Sequence, residues 1–122
     1  MEGPPIDRIK LGREGEEAAV RFLKKKRFKI VERGFRMLRG EIDIIAYDRK
    51  TLVFVEVKTR SGAGFSAPEE SVTFSKQDQL RKIAQGYLVK NRIGDIPCRF
   101  DVVSVSIHDD GRPTILHIEN AF

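Results

Sequence analysis

Gly40-Glu41-Ile42-Asp43-Ile44-Ile45-Ala46-Tyr47-Asp48-Arg49-Lys50-Thr51-Leu52-Val53-Phe54-Val55-Glu56-Val57-Lys58 reads as two adjacent strands, each an apolar run with an acid set into it. Strand side chains repeat every two residues. In the second run, Thr51 to Thr59, Leu52, Phe54, Glu56 and Lys58 therefore share one face, and Val53, Val55 and Val57 share the other. A strand that is apolar on both sides is normally covered on both sides, which withholds Glu56 and Lys58 from bulk water. A lone carboxylate so placed is unfavourable unless a metal ion, an ion pair or a proton compensates for its lost hydration. The first run, about Glu41 to Tyr47, repeats the anomaly with Asp43 between Ile42 and Ile44. Asp48-Arg49-Lys50 is polar enough to close a hairpin between the runs, although it lacks the Asn-Gly or Asp-Gly pair that tight hairpins favour. Such a hairpin sets Asp43 on the strand beside Glu56, with both able to reach one point.

Two carboxylates aimed at one point make an oxygen-only site of the kind that holds magnesium, or manganese in its place, with several waters retained. A bound ion of this type lowers the pKa of a water and stabilises charge developing on phosphate, which is the chemistry of phosphodiester hydrolysis. Lys58, on the Glu56 face, is placed to orient the water or hold the phosphate. The competing reading is a salt bridge between Glu56 and Lys58 across a purely structural sheet.

Gly40-Glu41-Ile42-Asp43, followed by Val53-Phe54-Val55-Glu56-Val57-Lys58-Thr59-Arg60, resembles the core of the restriction-endonuclease-like superfamily, whose motif is written PD-(D/E)-x-K. More narrowly the chain resembles the YraN-like group of small bacterial proteins, similar in layout to Holliday junction resolvases, from about Leu11 to the terminal Asn120-Ala121-Phe122. It departs at Ile42, where the motif name has proline. The resemblance implies an α/β fold with an αβββαβ core, a mixed central sheet flanked by helices. It also implies a divalent-metal site at Asp43, Glu56 and the Val57 backbone carbonyl, with Lys58 catalytic. The expected activity is magnesium-dependent endonucleolytic cleavage of branched or structured DNA. A nucleic-acid-binding or scaffold protein that keeps the fold without turnover is the alternative.

The first helix, about Gly12 to Arg27, carries Gly15, Ala18, Ala19, Phe22 and Leu23 on one stripe. Glu17 falls opposite that stripe, while Glu14 and Glu16 fall at its edges. The resemblance favours Glu16 as an accessory acid of the site; otherwise it is an acid favoured by the dipole at a helix start. Lys24-Lys25-Lys26-Arg27 then ends the helix where cations meet exposed carbonyls. Phe28, Ile30, Val31 and Phe35 suggest an edge strand, and Arg33, Arg36 and Arg39 lead into the acidic hairpin as a phosphate-binding rim. Beyond Lys58, the small-residue loop from Thr59 to Pro68 makes Arg60 and Phe65 candidates for backbone contact and base stacking.

Ser75 and Asp78 read as a capping box opening a second helix whose buried stripe is Leu80, Ile83, Ala84, Tyr87 and Leu88. Lys76 extends that stripe toward the helix start and, with the resemblance in its support, is a phosphate contact. Gly94-Asp95-Ile96-Pro97 breaks the helix. Cys98 to Ile107 reads as a long strand in which Arg99 and Asp101 form a structural pair and Cys98 is a small buried apolar group. Asp110-Gly111 turns into a last strand, Thr114 to Ile118, and His108 and His117 have no metal-ligand spacing.

A length of 122 residues fits one domain. Met1 to about Lys10, with Pro4-Pro5, reads as a flexible tail, leaving 11–122 as a single nuclease-like domain. The net charge of +5 suits a polyanionic partner such as DNA. No run is apolar enough to span a membrane and no signal-peptide pattern opens the chain, so the cytoplasm is the expected location. The single cysteine excludes an intramolecular disulfide and any multi-cysteine zinc site. Symmetric cutting of a junction would require two active sites and hence a homodimer.

Overall fold

A computed structural model of the protein describes residues 8–62 and 72–122. The elements follow in the order α1 (Arg8–Lys25), β1 (Lys29–Met37), β2 (Gly40–Asp48), β3 (Thr51–Ser61), α2 (Phe74–Lys90), β4 (Cys98–Ile107) and β5 (Pro113–Ile118). The five strands form one sheet in chain order. β1, β2 and β3 make an antiparallel meander, β4 runs parallel to β3, and β5 returns antiparallel to β4. The single parallel step is the one bridged by α2, as a parallel pair requires a crossover connection. This is the mixed sheet with helices on its faces that the sequence leads one to expect, in the αβββαβ order of the restriction-endonuclease-like superfamily.

The sheet separates two cores. On one side Ala18, Ala19, Val20 and Leu23 of α1 pack on Ile44, Ala46, Val53, Val55, Val103 and Val105. On the other, Leu80, Ile83, Ala84 and Tyr87 of α2 pack on Phe35, Ile42, Ile45, Leu52, Phe54 and Val102. β3 is buried from both sides, with Val53, Val55 and Leu52 at 0% exposure, so its alternation divides as expected. An aromatic ladder joins Phe35, Tyr87, Phe54, Phe100 and Phe122 with centroids 5.0–6.0 Å apart, fixing the chain end to the α2 face.

Three local expectations change. The first helix starts at Arg8 rather than near Gly12, so Arg8, Ile9 and Lys10, read as tail, form its first turn. Helix α2 is capped by Thr73, whose Oγ1 accepts from the Lys76 amide at 3.1 Å, and Ser75 is already inside the helix. The capping-box spacing from Ser75 to Asp78 was therefore two residues late. Cys98 is exposed, not buried. It opens β4 four residues before β5 begins to pair at Val102, so no strand lies along its outer side. Phe65 and most of the loop assigned to it lie outside the described residues.

Candidate active site

The β2–β3 ladder runs from Asp48↔Thr51 to Ile44↔Val55 and then opens. Continued by one step, the same register would set Asp43 opposite Glu56. Instead the Asp43 carboxylate enters the gap: the Val57 amide donates to Asp43 Oδ2 at 2.8 Å, so a side chain replaces the backbone acceptor that β2 no longer supplies. This fork brings the two acids of the motif together. Glu56 arrives from the α2 face, continuing Leu52 and Phe54, and is 9% exposed.

Neither acid is neutralised by its surroundings. Burial pushes Asp43 up to about 7, helped by repulsion from Glu56, Glu41 and Glu16 and opposed by the Val57 amide. Burial also raises Glu56, and the ammonium groups of Lys76 and Lys58 offset that only in part. Both carboxyls are therefore raised, and repulsion from Glu56 is part of what raises Asp43. Lys58 Nζ stands 3.9 Å from Glu56 Oε1, a loose contact, while Glu56 Oε2 is buried with no hydrogen-bond partner. The Glu56–Lys58 ion pair of the competing reading is thus present, and it leaves the second carboxylate oxygen unsatisfied. Among the ion pairs of the described residues, no arginine meets Asp43 or Glu56.

Two depressions meet at Glu41. One is lined by Arg8, Gly12, Arg13, Glu16, Asp43 and Val57, the other by Arg36, Arg39, Gly40 and Lys76. Asp43 and Glu16 thus line the first depression and Lys76 and Arg39 the second, while Glu56 stands within electrostatic reach of Asp43, Lys76 and Lys58. Glu16 is held at its rim by Arg33, which donates to it at 3.2 Å and to Glu17 at 2.7 Å. Glu17, opposite the buried stripe, is exposed and pairs with Arg33 of β1. Of the three rim arginines only Arg36 and Arg39 line the cleft; Arg33 is spent on the helix. Arg60 follows Lys58 by two residues on the same strand, farther from the fork.

Sequence reading missed Glu41, Arg8 and Arg13. Glu41 is shared by both depressions and raises both acids; its spacing of two residues from Asp43 along a strand was the available signal. Arg8 was hidden by placing the helix start too late, and Arg13, inside the expected helix, carried no signal that it faces the cleft. A close approach fixes this edge: a Cβ on Gly15 would sit 1.9 Å from Thr59 Oγ1, so α1 rests on β3 immediately beside Glu16.

The residues fit a hard divalent cation better than any softer metal. The donors are oxygens, one buried carboxylate oxygen is orphaned, and two mutually repelling acids gain from an added positive charge. Among the described residues no three Asp, Glu, His or Cys side chains gather closely enough to form an all-protein cage.

On the α1 face of the sheet, where Asp101 pairs with Val55, lies a second set of buried charges. Asp101, fully buried, accepts from Arg99 Nε at 2.9 Å, from the Asn120 amide at 3.0 Å and from His117 Nε2 at 2.8 Å. Burial pushes its carboxyl up, but the hydrogen bonds from His117, Arg99 and Asn120 outweigh it and hold it below the usual range. Arg99 also meets Asp48 at 2.9 Å. The pairing of Arg99 with Asp101 is thus structural, and His117 belongs to it.

The fold and the acid pair at its β2–β3 fork define an α/β protein of restriction-endonuclease-like architecture. The model of the Uncharacterised protein family UPF0102 matches residues 15–105. A UPF0102 protein of Geobacter sulfurreducens is 46% identical over 121 residues, covering 99% of this chain and 94% of its own. One from Geotalea uraniireducens is 49% identical over 116 residues, covering 95% and 91%, and one from Alkaliphilus oremlandii is 47% identical over 115 residues, covering 93% and 97%. The chain belongs to the UPF0102 family. No helix among the described residues is long and apolar enough to cross a membrane.

Proposed function

We propose that the protein is a magnesium-dependent endonuclease that hydrolyses phosphodiester bonds of branched or otherwise structured DNA in the cytoplasm. The observation that carries this reading is the fork: half-buried Asp43 and buried Glu56 meet at one gap, and the buried Oε2 of Glu56 has no partner. Asp43, Glu56 and the Val57 carbonyl would hold the cation, which when bound supplies Lewis acidity and a water of lowered pKa. Val57 anchors Asp43 through its amide, so the carboxylate is oriented before any ligand arrives. Lys58, only loosely tied to Glu56, holds the attacking water or a phosphate oxygen with its ammonium. Lys76, Arg39 and Arg60 contact the backbone phosphates, and Glu16 acts from the rim as an accessory acid.

Asp43→Ala separates chemistry from binding, because phosphate contacts made by lysine and arginine do not depend on the acid pair. Nicking of duplex, flap and four-way DNA in magnesium should disappear, while salt-sensitive DNA binding persists. Cleavage at the wild-type rate after that substitution would remove the assignment. Calorimetric magnesium binding without nicking of any substrate would favour a binding or scaffold role on the same fold. Two-sided cutting of a four-way junction, if observed, implies a homodimer, which light scattering would detect.

A further inference from the structure

The β1–β2 hairpin closes with two residues, Leu38 and Arg39, between the paired Met37 and Gly40. Both take left-handed backbone angles, φ 53° and 60°. A two-residue loop of this kind favours Asn-Gly, because both central residues need positive φ; a leucine there is strained by its Cβ. Among the described non-glycine residues with positive φ, Leu38 is the one apolar side chain. It gains nothing from packing in return, being 61% exposed. Beside it the first turn of α2 shows Phe74, 87% exposed, the most exposed large apolar side chain among the described residues. Leu38 and Ser75 line a common depression, so hairpin tip and helix start adjoin. Arg36, Arg39 and Lys76 border the same ridge and line the cleft that runs to Glu41.

An exposed aliphatic wedge and an exposed ring set among cations match one ligand chemistry. Unstacked bases offer π-faces to the ring and apolar edges to the leucine, and their phosphates meet the arginines and lysine. A fully paired duplex offers no face, since its bases are stacked inside. We propose that Leu38 and Phe74 form a platform that binds unpaired nucleotides next to the acid pair, so that the substrate is nucleic acid with a single-stranded segment at the site. This rests on the reading of the protein as one that acts on nucleic acid, and it narrows that reading from structured DNA in general to DNA with unpaired bases.

The test measures binding by fluorescence anisotropy in EDTA, so that no cleavage intervenes, on a labelled single strand, a blunt duplex and a duplex with a central unpaired bubble of the same length. Phe74→Ala should weaken the single strand and the bubble about tenfold, and Phe74→Trp should preserve them. Leu38→Asn should weaken the same two ligands while the melting temperature stays level or rises, since asparagine suits the turn better than leucine does. Lys76→Ala should weaken all three ligands and reduce the salt slope. Equal loss on duplex and single strand, or no loss at all, overturns the platform while leaving the nuclease reading standing. A lower melting temperature for Leu38→Asn would mark the leucine as a packing residue and overturn it too. If Leu38→Asn or Phe74→Ala instead dissociates a dimer in light scattering without changing oligonucleotide affinity, the patch is a self-association surface and the proposal fails. Absence of binding to every oligonucleotide removes both the platform and the reading on which it rests.

Discussion

Asp43→Asn should make the metal-free protein more stable at alkaline pH and change little at acid pH. Asparagine keeps an oxygen to accept the Val57 amide, now 2.8 Å from Asp43 Oδ2, so the fork geometry survives and only the charge is lost. The folded-state pKa of Asp43 is raised from 3.8 to about 7. A raised carboxyl gives stability that is fully present below the unfolded value and lost as pH rises through the folded one, because the native state holds a proton the unfolded chain has released. At about 1.4 kcal/mol per unit, the whole shift corresponds to roughly 4 kcal/mol. Some of the loss is already spent at pH 5, so between pH 5 and pH 8 the loss is at most about 2.5 kcal/mol. Solvent at the partly open side of the cleft brings this nearer 1–2 kcal/mol, an order-of-magnitude figure. Urea denaturation in EDTA at the two pH values measures it as a difference between wild type and variant. Glu56 is present in both proteins, so its own contribution largely cancels in the difference. Added magnesium at pH 8 should close the gap from the wild-type side, by about 2.7 kcal/mol at a hundredfold excess over its dissociation constant. A wild-type-to-variant difference that stays constant with pH would show that Asp43 is not held against its own ionisation, and the argument from the fork would fail.

Lys58→Met should leave calorimetric magnesium affinity near wild type while lowering kcat by about a hundredfold or more, the scale of losing one well-placed electrostatic donor. Glu56→Gln should weaken magnesium binding at least about tenfold in the same titration, since it removes a charged ligand oxygen and leaves Lys58 and Lys76 without their shared carboxylate. Gly15→Ala drives a methyl into Thr59 and should lower stability by about 1–3 kcal/mol in denaturant, whereas Gly12→Ala, which meets nothing within 4 Å, should raise it by up to about 1 kcal/mol through helix propensity. Asp101→Ala leaves Arg99 and His117 with no buried acceptor and should cost about 3–5 kcal/mol while sparing the chemistry of molecules that remain folded.

The fold was readable where side-chain periodicity was strong. β2 and β3 show their burial in unbroken apolar runs, and the stripes of α1 and α2 repeat at helical spacing, so element order and the two-sided sheet follow from residues alone. Boundaries were harder. Arg8-Ile9-Lys10 carries no apolar stripe and joins α1 only because the helix continues past the point where it needs a core. Thr73 rather than Ser75 caps α2, a choice between two similar hydroxyls that local spacing does not decide. The acids at 43 and 56 stood out because a strand buried on both faces has no ordinary place for them. Glu41, Arg8 and Arg13 did not stand out, because each is an unremarkable surface residue until the chain folds it toward the fork. His117 was unreadable for a related reason: its partners Lys26, Phe22 and Phe28 lie about ninety positions away in the chain.

Comparison of the two buried acids of this sheet gives a criterion that sequence could not supply. Asp101 and Glu56 occupy adjoining strands, one register step apart, since Glu56 pairs with Val102. Both are withdrawn from water. Asp101 meets a guanidinium, an imidazole and a backbone amide, and its charged form is favoured. Glu56 meets one ammonium at 3.9 Å, retains an unpartnered oxygen, and its charged form is disfavoured. Burial cannot account for the difference, because burial raises both. What differs is the supply of donors: three reach Asp101 on one face of the sheet, and the neighbouring acid on the other face lacks them. An acid with its donors in place stabilises a fold. An acid kept dry without them gains from a proton or an added positive charge, which is the ground for proposing the β2–β3 fork as a cation site, whereas the Asp101 network holds the chain end through the Asn120 amide.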